Sequence, residues 1–306
     1  MRMRRMVLAG LVLAGVGLGL ASPASAKDCD RSCVAATTDA VLAAFQSGAP
    51  TKVLKGVRIT ENGRDIRLAD SQLHAIRKVT YTHAFFEPAA GAVGVHGAAE
   101  AAGGPEIFAL RLRLKGDRVI EAESIVTRRG EASLFSPQTM TGQAAWDQVL
   151  PPERRTPREA MIAAATAYFD GVEAETGSNV PAAPGCDRCE NGVKTTNLPG
   201  EAQEGCTAFS QLAYIERVRD RRMPLVDEER GLIWALAVLD IPGGTYPAPV
   251  GSRSATVKRE PRSILIAELF KVEAGQIHAI ETVMRDLPLG AGAGWALPKP
   301  PKTKKK

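Results

Sequence analysis

Two hydrophobic periods run along this chain and they change in a fixed order. Asp39 to Phe45 and Arg158 to Phe169 are Ala-rich with apolar residues at helical spacing, and Thr207 to Arg219 reads as a further helix. Leu225 to Ile233 reads as strand, turn, strand. Ile264 to Val272 and Gln276 to Met284 alternate as strands, and Glu273-Ala274-Gly275 between them predicts a terminal hairpin. Helices first and a run of antiparallel strands after them predict an α+β class, a curved sheet wrapped over helices.

The pattern occurs twice. Ala44-Phe45-Gln46-Ser47-Gly48 aligns with Tyr168-Phe169-Asp170-Gly171, and Glu61-Asn62-Gly63 with Glu190-Asn191-Gly192. Arg77, Glu87 and Gly91 match Arg217, Asp227 and Gly231, and Leu114, Ala122-Glu123 and Val126 match Val272, Ile280-Glu281 and Met284. Four blocks in one order predict two tandem α+β repeats, 27–145 and 146–297. The offset grows along the chain, so the second repeat holds insertions around Asn197 to Glu204 and between Asp240 and Arg262, both loop-like. Binding residues often sit in such loops. The Pro-rich stretch Ser136 to Arg158 is the expected connector.

The ends of the chain change what its charge means. Arg2, Arg4 and Arg5 precede an apolar run from Val7 to Leu20, and Ala24-Ser25-Ala26 supplies small residues for cleavage after Ala26. That run falls short of the roughly 20 residues a bilayer needs, so residues 1–26 read as a signal peptide. The mature protein is expected in the periplasm or outside the cell, with no membrane span after cleavage. The net charge of +5 includes those three arginines and the five lysines of the tail 298–306, leaving −3 for the folded part. The basic balance therefore marks no nucleic-acid-binding surface. The Pro- and Lys-rich tail reads as disordered. No Gly-x-Ser-x-Gly elbow and no phosphate loop is present, which excludes the common signatures of serine hydrolases and nucleotide binders.

Helices followed by a bent sheet that ends in the hairpin Phe270 to Ile277 resemble the nuclear-transport-factor-2-like superfamily. Ketosteroid isomerase, scytalone dehydratase and SnoaL-like cyclases belong to it. More closely, Cys186-x-Arg188-x-Glu190-Asn191-Gly192, Arg222-x-Pro224-x-Val226-Asp227-Glu228-x-x-Gly231 and Gly294-Trp295 resemble a family of exported tandem-domain proteins of unknown function. The superfamily's cone hosts isomerases, dehydratases and non-catalytic binding modules, so the resemblance implies a fold and leaves chemistry to the residues.

Residues shared by both copies serve the fold first, which points away from them and toward polar residues special to one copy. Glu61-Asn62-Gly63 and Glu190-Asn191-Gly192 suit tight turns. Glu123 with Glu281, and Arg77 with Arg217, predict an Arg–carboxylate pair inside each domain. In the second repeat Tyr168 stands against Ala44, Glu268 against Leu110 and His278 against Ile120. Alternation puts Glu268 on the apolar face of Ile264, Ile266 and Phe270, where desolvation raises a carboxyl pKa toward that of a general acid or base. In ketosteroid isomerase a helix Tyr donates to an oxyanion while a carboxylate moves the proton, and the resemblance implies Tyr168, Glu268 and His278 as catalytic candidates. Arg188, Glu190, Asn191 and Arg222 are the candidates for substrate binding. The competing reading neutralises Glu268 with Arg188 or Arg222 in a structural pair. In the first repeat His74, Tyr81 and His83 are also unmatched, and His96 falls in a Gly/Ala-rich stretch that reads as loop.

Five cysteines in an exported chain predict disulfides and one thiol left over. Cys186–Cys206 would staple the inserted loop. Cys29 and Cys33 pair only where the backbone between them is not helical, or else one reaches Cys189. A zinc site on Cys186, Cys189 and Cys206 lacks a fourth ligand. The residues thus predict a proton-transferring isomerase or lyase in the second cone, acting on a small apolar organic ligand without metal or cofactor. The alternative is a ligand-binding or assembly module, with an oligomer formed through the sheet faces.

Overall fold

The computed structural model describes residues 29–141, 144–199, 205–248 and 255–295. The predicted signal peptide and the lysine tail lie outside them. The first repeat runs α1 (Arg31–Gln46), α2 (Thr51–Leu54), β1 (Arg58–Glu61), β2 (Arg64–Ile66), β3 (Ile76–Glu87), β4 (Ala92–Ala101), β5 (Gly104–Lys115) and β6 (Arg118–Arg128). A connector with the short α3 (Ala144–Asp147) leads to α4 (Arg158–Glu173). The second repeat continues with β7 (Ala182–Glu190), β8 (Val193–Lys194), β9 (Arg217–Asp227) and β10 (Leu232–Ile241). After the hairpin β11 (Gly244–Pro247) and β12 (Thr256–Arg259) come β13 (Arg262–Glu273) and β14 (Gln276–Leu287).

Both repeats are α+β cones with the same topology. The sheet orders are β2-β1-β6-β5-β4-β3 and β8-β7-β14-β13-β10-β9. Each sheet is antiparallel except where its first strand lies parallel to its last, β1 on β6 and β7 on β14. The expected all-antiparallel sheet needs that one correction: the strand after the helix closes the cone edge against the end of the chain's own meander. The insertion between Asp240 and Arg262 carries the extra hairpin β11–β12.

The helix α1 starts where Asp30 caps it by accepting from the Cys33 amide at 2.9 Å. It buries Val34, Thr38, Val41, Leu42 and Phe45, while the equally long α4 buries Met161, Ala165, Tyr168, Phe169 and Val172. Superposing these two faces needs an offset of 127, which sets Tyr168 against Val41. The sequence alignment through Phe45 and Phe169 is therefore three residues out. A three-residue slip keeps a helical residue on nearly the same face, so periodicity does not detect it. The predicted helix from Thr207 to Arg219 is absent: two short 3-10 turns, Gly205–Thr207 and Phe209–Leu212, lead straight into β9.

Strands β10 and β13 are buried along almost their whole length because both faces are covered. Their concave faces close over α4. Their convex faces, with Leu232, Trp234, Leu236, Leu265 and Leu269, pack back to back on Phe85, Ala98, Ile107, Ala109 and Ile125 of the first sheet. The two cones thus cover each other's convex sheet faces within one chain. Gly94 leaves room there for the ring of Phe85, and Gly97 on the opposite face for that of Phe108, which a Cβ would meet at 2.0 and 2.3 Å. That packing explains why a Gly/Ala-rich stretch forms β4 and not the loop expected around His96.

Polar contacts across this interface follow a pseudo-twofold. Arg31 at the start of α1 pairs with Asp227 of the other repeat at 2.8 Å, and Arg158 at the start of α4 pairs with Glu87 at 2.5 Å. Each Asn-Gly turn is gripped by the segment that follows the other repeat's last strand. A Cβ on Gly192 would meet the Ser136 carbonyl at 2.1 Å, and one on Gly63 the Gly292 carbonyl at 2.2 Å. Trp295 donates to Thr60 Oγ1 at 2.7 Å, with Arg58 stacked 4.0 Å from its ring. The shared glutamates are also interfacial. Glu123 accepts from Arg111 at 2.8 Å and from Arg222 of the second repeat at 2.6 Å. Glu281 accepts from His96 at 2.8 Å. The expected intradomain pairs with Arg77 and Arg217 do not form, since both arginines are exposed.

Two disulfides hold the ends of helical and loop segments. Cys29 lies ahead of the first helical residue, so its Cα approaches that of Cys33 to 5.2 Å, closer than two positions inside a helix allow for a bridge. Cys186–Cys206 ties the inserted segment to β7 and leaves Cys189 as the free thiol. With two of its three sulfurs joined to each other, the zinc arrangement is excluded. Two disulfides fit an exported protein. Among the described residues no helix is long and apolar enough to cross a membrane.

Candidate functional site

The second cone encloses a cavity of about 300 Å³, at the small end of ordinary ligand sites. Its walls are Phe169, Val172, Leu212, Ile215, Leu239, Ile264, Ile266 and Met284. Tyr168, Glu190, Glu268 and Thr282 supply the polar groups inside, and Tyr214, Arg259, Ser133 and Leu134 complete the lining.

Strand register determines which side chains meet there. Glu268 on β13 lies between Ala235 of β10 and Thr282 of β14. Leu110 occupies the same place in the first repeat, between Val95 and Ser124. Thr282 donates to Glu268 Oε1 at 3.0 Å, and the Tyr168 hydroxyl lies beside the same carboxyl and favours its ionised form. Arg188, entering from β7 and buried, donates to the Tyr168 oxygen at 3.2 Å. It also faces Glu190, with Nε 3.6 Å from Oε1. Arg188, Tyr168 and Glu268 thus form a relay ending at the cavity wall. The first cone is apolar at the matching positions, with buried Val41, Ile59 and Leu110 in one cluster.

Burial raises the Glu268 carboxyl to about 7. The charge of Arg188 and the hydrogen bonds from Thr282 and Tyr168 hold it down, and Glu190 adds to the rise. Burial likewise raises the Tyr168 phenol, with the Glu268 charge as the next contribution, so it stays a proton donor. Near neutral pH the site therefore combines a carboxyl balanced between its two forms with a protonated phenol backed by a guanidinium.

Of the residues expected at the site, Tyr168, Glu268, Arg188 and Glu190 converge here. His278 does not: it is exposed on β14, on the other side of the strand from Thr282, next to the irregularity between Ile277 and Ala279. Asn191 does not either. It adopts a left-handed φ of 46° in its turn, donates to the Leu134 and Met284 carbonyls and accepts from the Met284 amide. Arg222 is committed to Glu123 across the domain interface. Neither it nor a direct Arg188 ion pair neutralises Glu268.

Residues missed from sequence are Thr282, Tyr214 and Arg259. Thr282 follows once the β13–β14 register is known, and Arg259 sits in the insertion already marked as loop-like. His96 is also more than a loop residue. It is fully buried and accepts from Trp234 Nε1 at 2.9 Å. Indole nitrogen only donates, so His96 carries its proton on Nδ1 and gives it to Glu281. Burial works against ionised Glu281, but the hydrogen bond from His96 holds its carboxyl below the usual range. Tyr81 and His83 lie on this interfacial side of the first sheet.

Residues 154–284 match the model of a domain of unknown function (DUF8021). No curated protein matches the sequence. Among solved structures the chain is similar to a candidate polyketide cyclase from Silicibacter sp. TM1040, at 15% identity over 42% of this chain and 90% of that one, with a TM-score of 0.31. It is also similar to AclR, a candidate hydroxylase from Streptomyces galilaeus, at 10% identity over 47% and 91% with a TM-score of 0.29. A candidate SnoaL-like polyketide cyclase from Jannaschia sp. CCS1 is 15% identical over 45% and 90% with a TM-score of 0.26. Likeness at this level carries no argument about chemistry, which rests on the cavity itself.

Proposed function

We propose that this is an exported protein whose second cone binds a small, largely apolar organic molecule and moves a proton on it, as a cofactor-independent isomerase or lyase. The observation that carries the reading is Glu268, a buried carboxyl titrating near neutrality on the wall of an apolar cavity. A general base works best with its pKa near the working pH.

Glu268 takes a proton from a carbon next to a carbonyl, and the C–H electron pair moves onto the carbonyl oxygen as an enolate. Tyr168 has one proton to share between Glu268 and that oxygen. Turning it toward the substrate stabilises the developing charge and, by leaving Glu268, makes the carboxylate more basic. Arg188, donating to the phenol oxygen, strengthens the phenol as a donor. Return of the proton at another carbon completes an isomerisation, and loss of a leaving group from the enolate completes an elimination.

The test is deuterium exchange at the α-carbons of small cyclic ketones such as 2-cyclohexenone and 1-tetralone, followed by proton NMR in D2O. Glu268→Gln should slow exchange by about 100-fold or more, the usual contribution of a positioned acid–base group. Equal rates for wild type and variant would sink the proposal. The second reading, a binding module without turnover, is supported by a carboxyl whose partners are all internal, and it predicts saturable ketone binding with no exchange.

A further inference from the structure

The mouth of the cavity carries a charge that the proton-transfer chemistry does not use. Glu268 and Tyr168 are buried at its inner wall, while Arg259 and Tyr214 are half-buried. Arg259 ends β12, in the hairpin the first repeat lacks. Its guanidinium stacks 4.4 Å from the Tyr214 ring, which in turn lies against Tyr246 of β11 with centroids 6.3 Å apart. The hairpin that brings Arg259 and Tyr246 to the mouth is therefore an addition of the second repeat, the one that holds the cavity.

The neighbouring charges are already matched. Arg262 faces Asp286 at 3.2 Å, Lys258 faces Glu260 at 2.9 Å, and inside the cavity Glu190 faces Arg188. Asp286 also feels Arg259, but Arg262 is its first partner. Among the described residues Arg259 makes no ion pair, and its Nε is buried with no hydrogen-bond partner. A buried guanidinium N–H without an acceptor is costly, and an unpaired planar fork matches a carboxylate edge to edge. Stacking on Tyr214 occupies the face of that fork and leaves its edge for a ligand.

We infer that Arg259 receives a carboxylate, so that the ligand is a small organic acid with an apolar body in the cone and its charged end at the mouth. This rests on the reading of the cone as a ligand cavity and names the class of molecule that fills it. The apolar walls exclude a polyanion or a sugar, whose hydroxyls would meet Phe169, Ile215, Leu239 and Ile266.

The test is calorimetric titration of the full mature protein with ω-phenylalkanoates from phenylacetate to 6-phenylhexanoate, each compared with its primary amide. At least one acid should bind wild type about 10- to 100-fold tighter than its amide, as a charge-assisted contact provides. Arg259→Gln should bring that ratio near one while leaving amide affinity within about twofold, which shows that the variant is folded. Absence of saturable binding by every acid overturns the inference, as does an acid preference that survives in Arg259→Gln or an acid and amide that bind wild type equally. Its failure is separable from that of the catalytic reading. Acid binding that needs Arg259, with no exchange on any ketone, upholds this inference and removes the other. Exchange that needs Glu268, with no acid preference, does the reverse.

Discussion

Glu268 gives the structure a pH dependence with a definite sign, independent of any substrate. A carboxyl that titrates near 4.5 when free and at about 7 in the fold makes the folded chain the stronger proton binder between those values. Stability then falls as pH rises through this window, because holding the proton is a folded-state advantage lost once Glu268 ionises. At about 1.4 kcal/mol per pH unit the whole effect is about 3 kcal/mol, most of which falls between pH 5 and pH 8. The groups facing the carboxyl are Arg188 and Glu190 on β7, Tyr168 on α4 and Thr282 on β14. Of these Arg188, Tyr168 and Thr282 favour ionisation, so the rise to about 7 is what burial leaves after they act. Other groups titrate in the same range, and comparison with Glu268→Gln cancels them. Urea unfolding at pH 5 and pH 8, followed by tryptophan fluorescence, should show the variant gaining about 2 to 3 kcal/mol on wild type as pH rises. A gap that stays constant within about 0.5 kcal/mol would show that Glu268 is already ionised at pH 5 and that burial does not control it.

Two further predictions concern the frame that holds the cavity. Glu123→Ala strips Arg222 of its carboxylate and Arg111 of one of two, across a buried interface. It should destabilise the protein by about 3 to 5 kcal/mol in urea unfolding, whereas an effect below about 1 kcal/mol would mark the pair as ornamental. Gly231→Ala combines a φ of +60° with a Cβ 2.1 Å from the Val272 carbonyl, while Gly48→Ala has a φ of +67° and open space. The first should cost well over 2 kcal/mol and the second about 1; equal costs would mean that φ alone matters at Gly231.

Much of this arrangement was legible in the sequence, for identifiable reasons. Strand alternation placed Glu268 on the concave face, and strong turn signals at Glu273-Ala274-Gly275 fixed the last hairpin. Repetition singled out Tyr168 and Glu268 as residues without polar counterparts, even though the helix register was three residues off. What failed depended on contacts between distant segments. His278 was assigned to the site because it stands against Ile120 on the strand beside that of Glu268, and a local irregularity was enough to keep it outside. Arg222 and the shared glutamates had to be neutralised somewhere, but sequence could not show that the partner belonged to the other repeat. His96 was hidden because glycines that accommodate Phe85 and Phe108 look like loop glycines until the rings are seen.

The two repeats differ because only one of them has to be hollow. Phe45, Leu110 and Val126 fill the first cone, while its convex face gives the second a rigid back through Phe85, Ile107 and Ile125. Polar groups in the cavity weaken the domain that holds it: Tyr168, Arg188 and Glu268 replace the apolar contacts of Val41, Ile59 and Leu110 that the first cone retains. The reciprocal grips offset that loss. The segment after β6 clasps the Asn191-Gly192 turn directly beyond Glu190, and the segment after β14 clasps Asn62-Gly63 in return. Because Asn191 also ties β7 to Met284 next to Thr282, the first repeat's connector fixes the very strands that carry Arg188, Glu190 and Thr282. The plain copy thus positions the working one. Loosening the turn with Gly192→Ala, whose Cβ would collide with the Ser136 carbonyl, would reach the site without touching any residue that lines it.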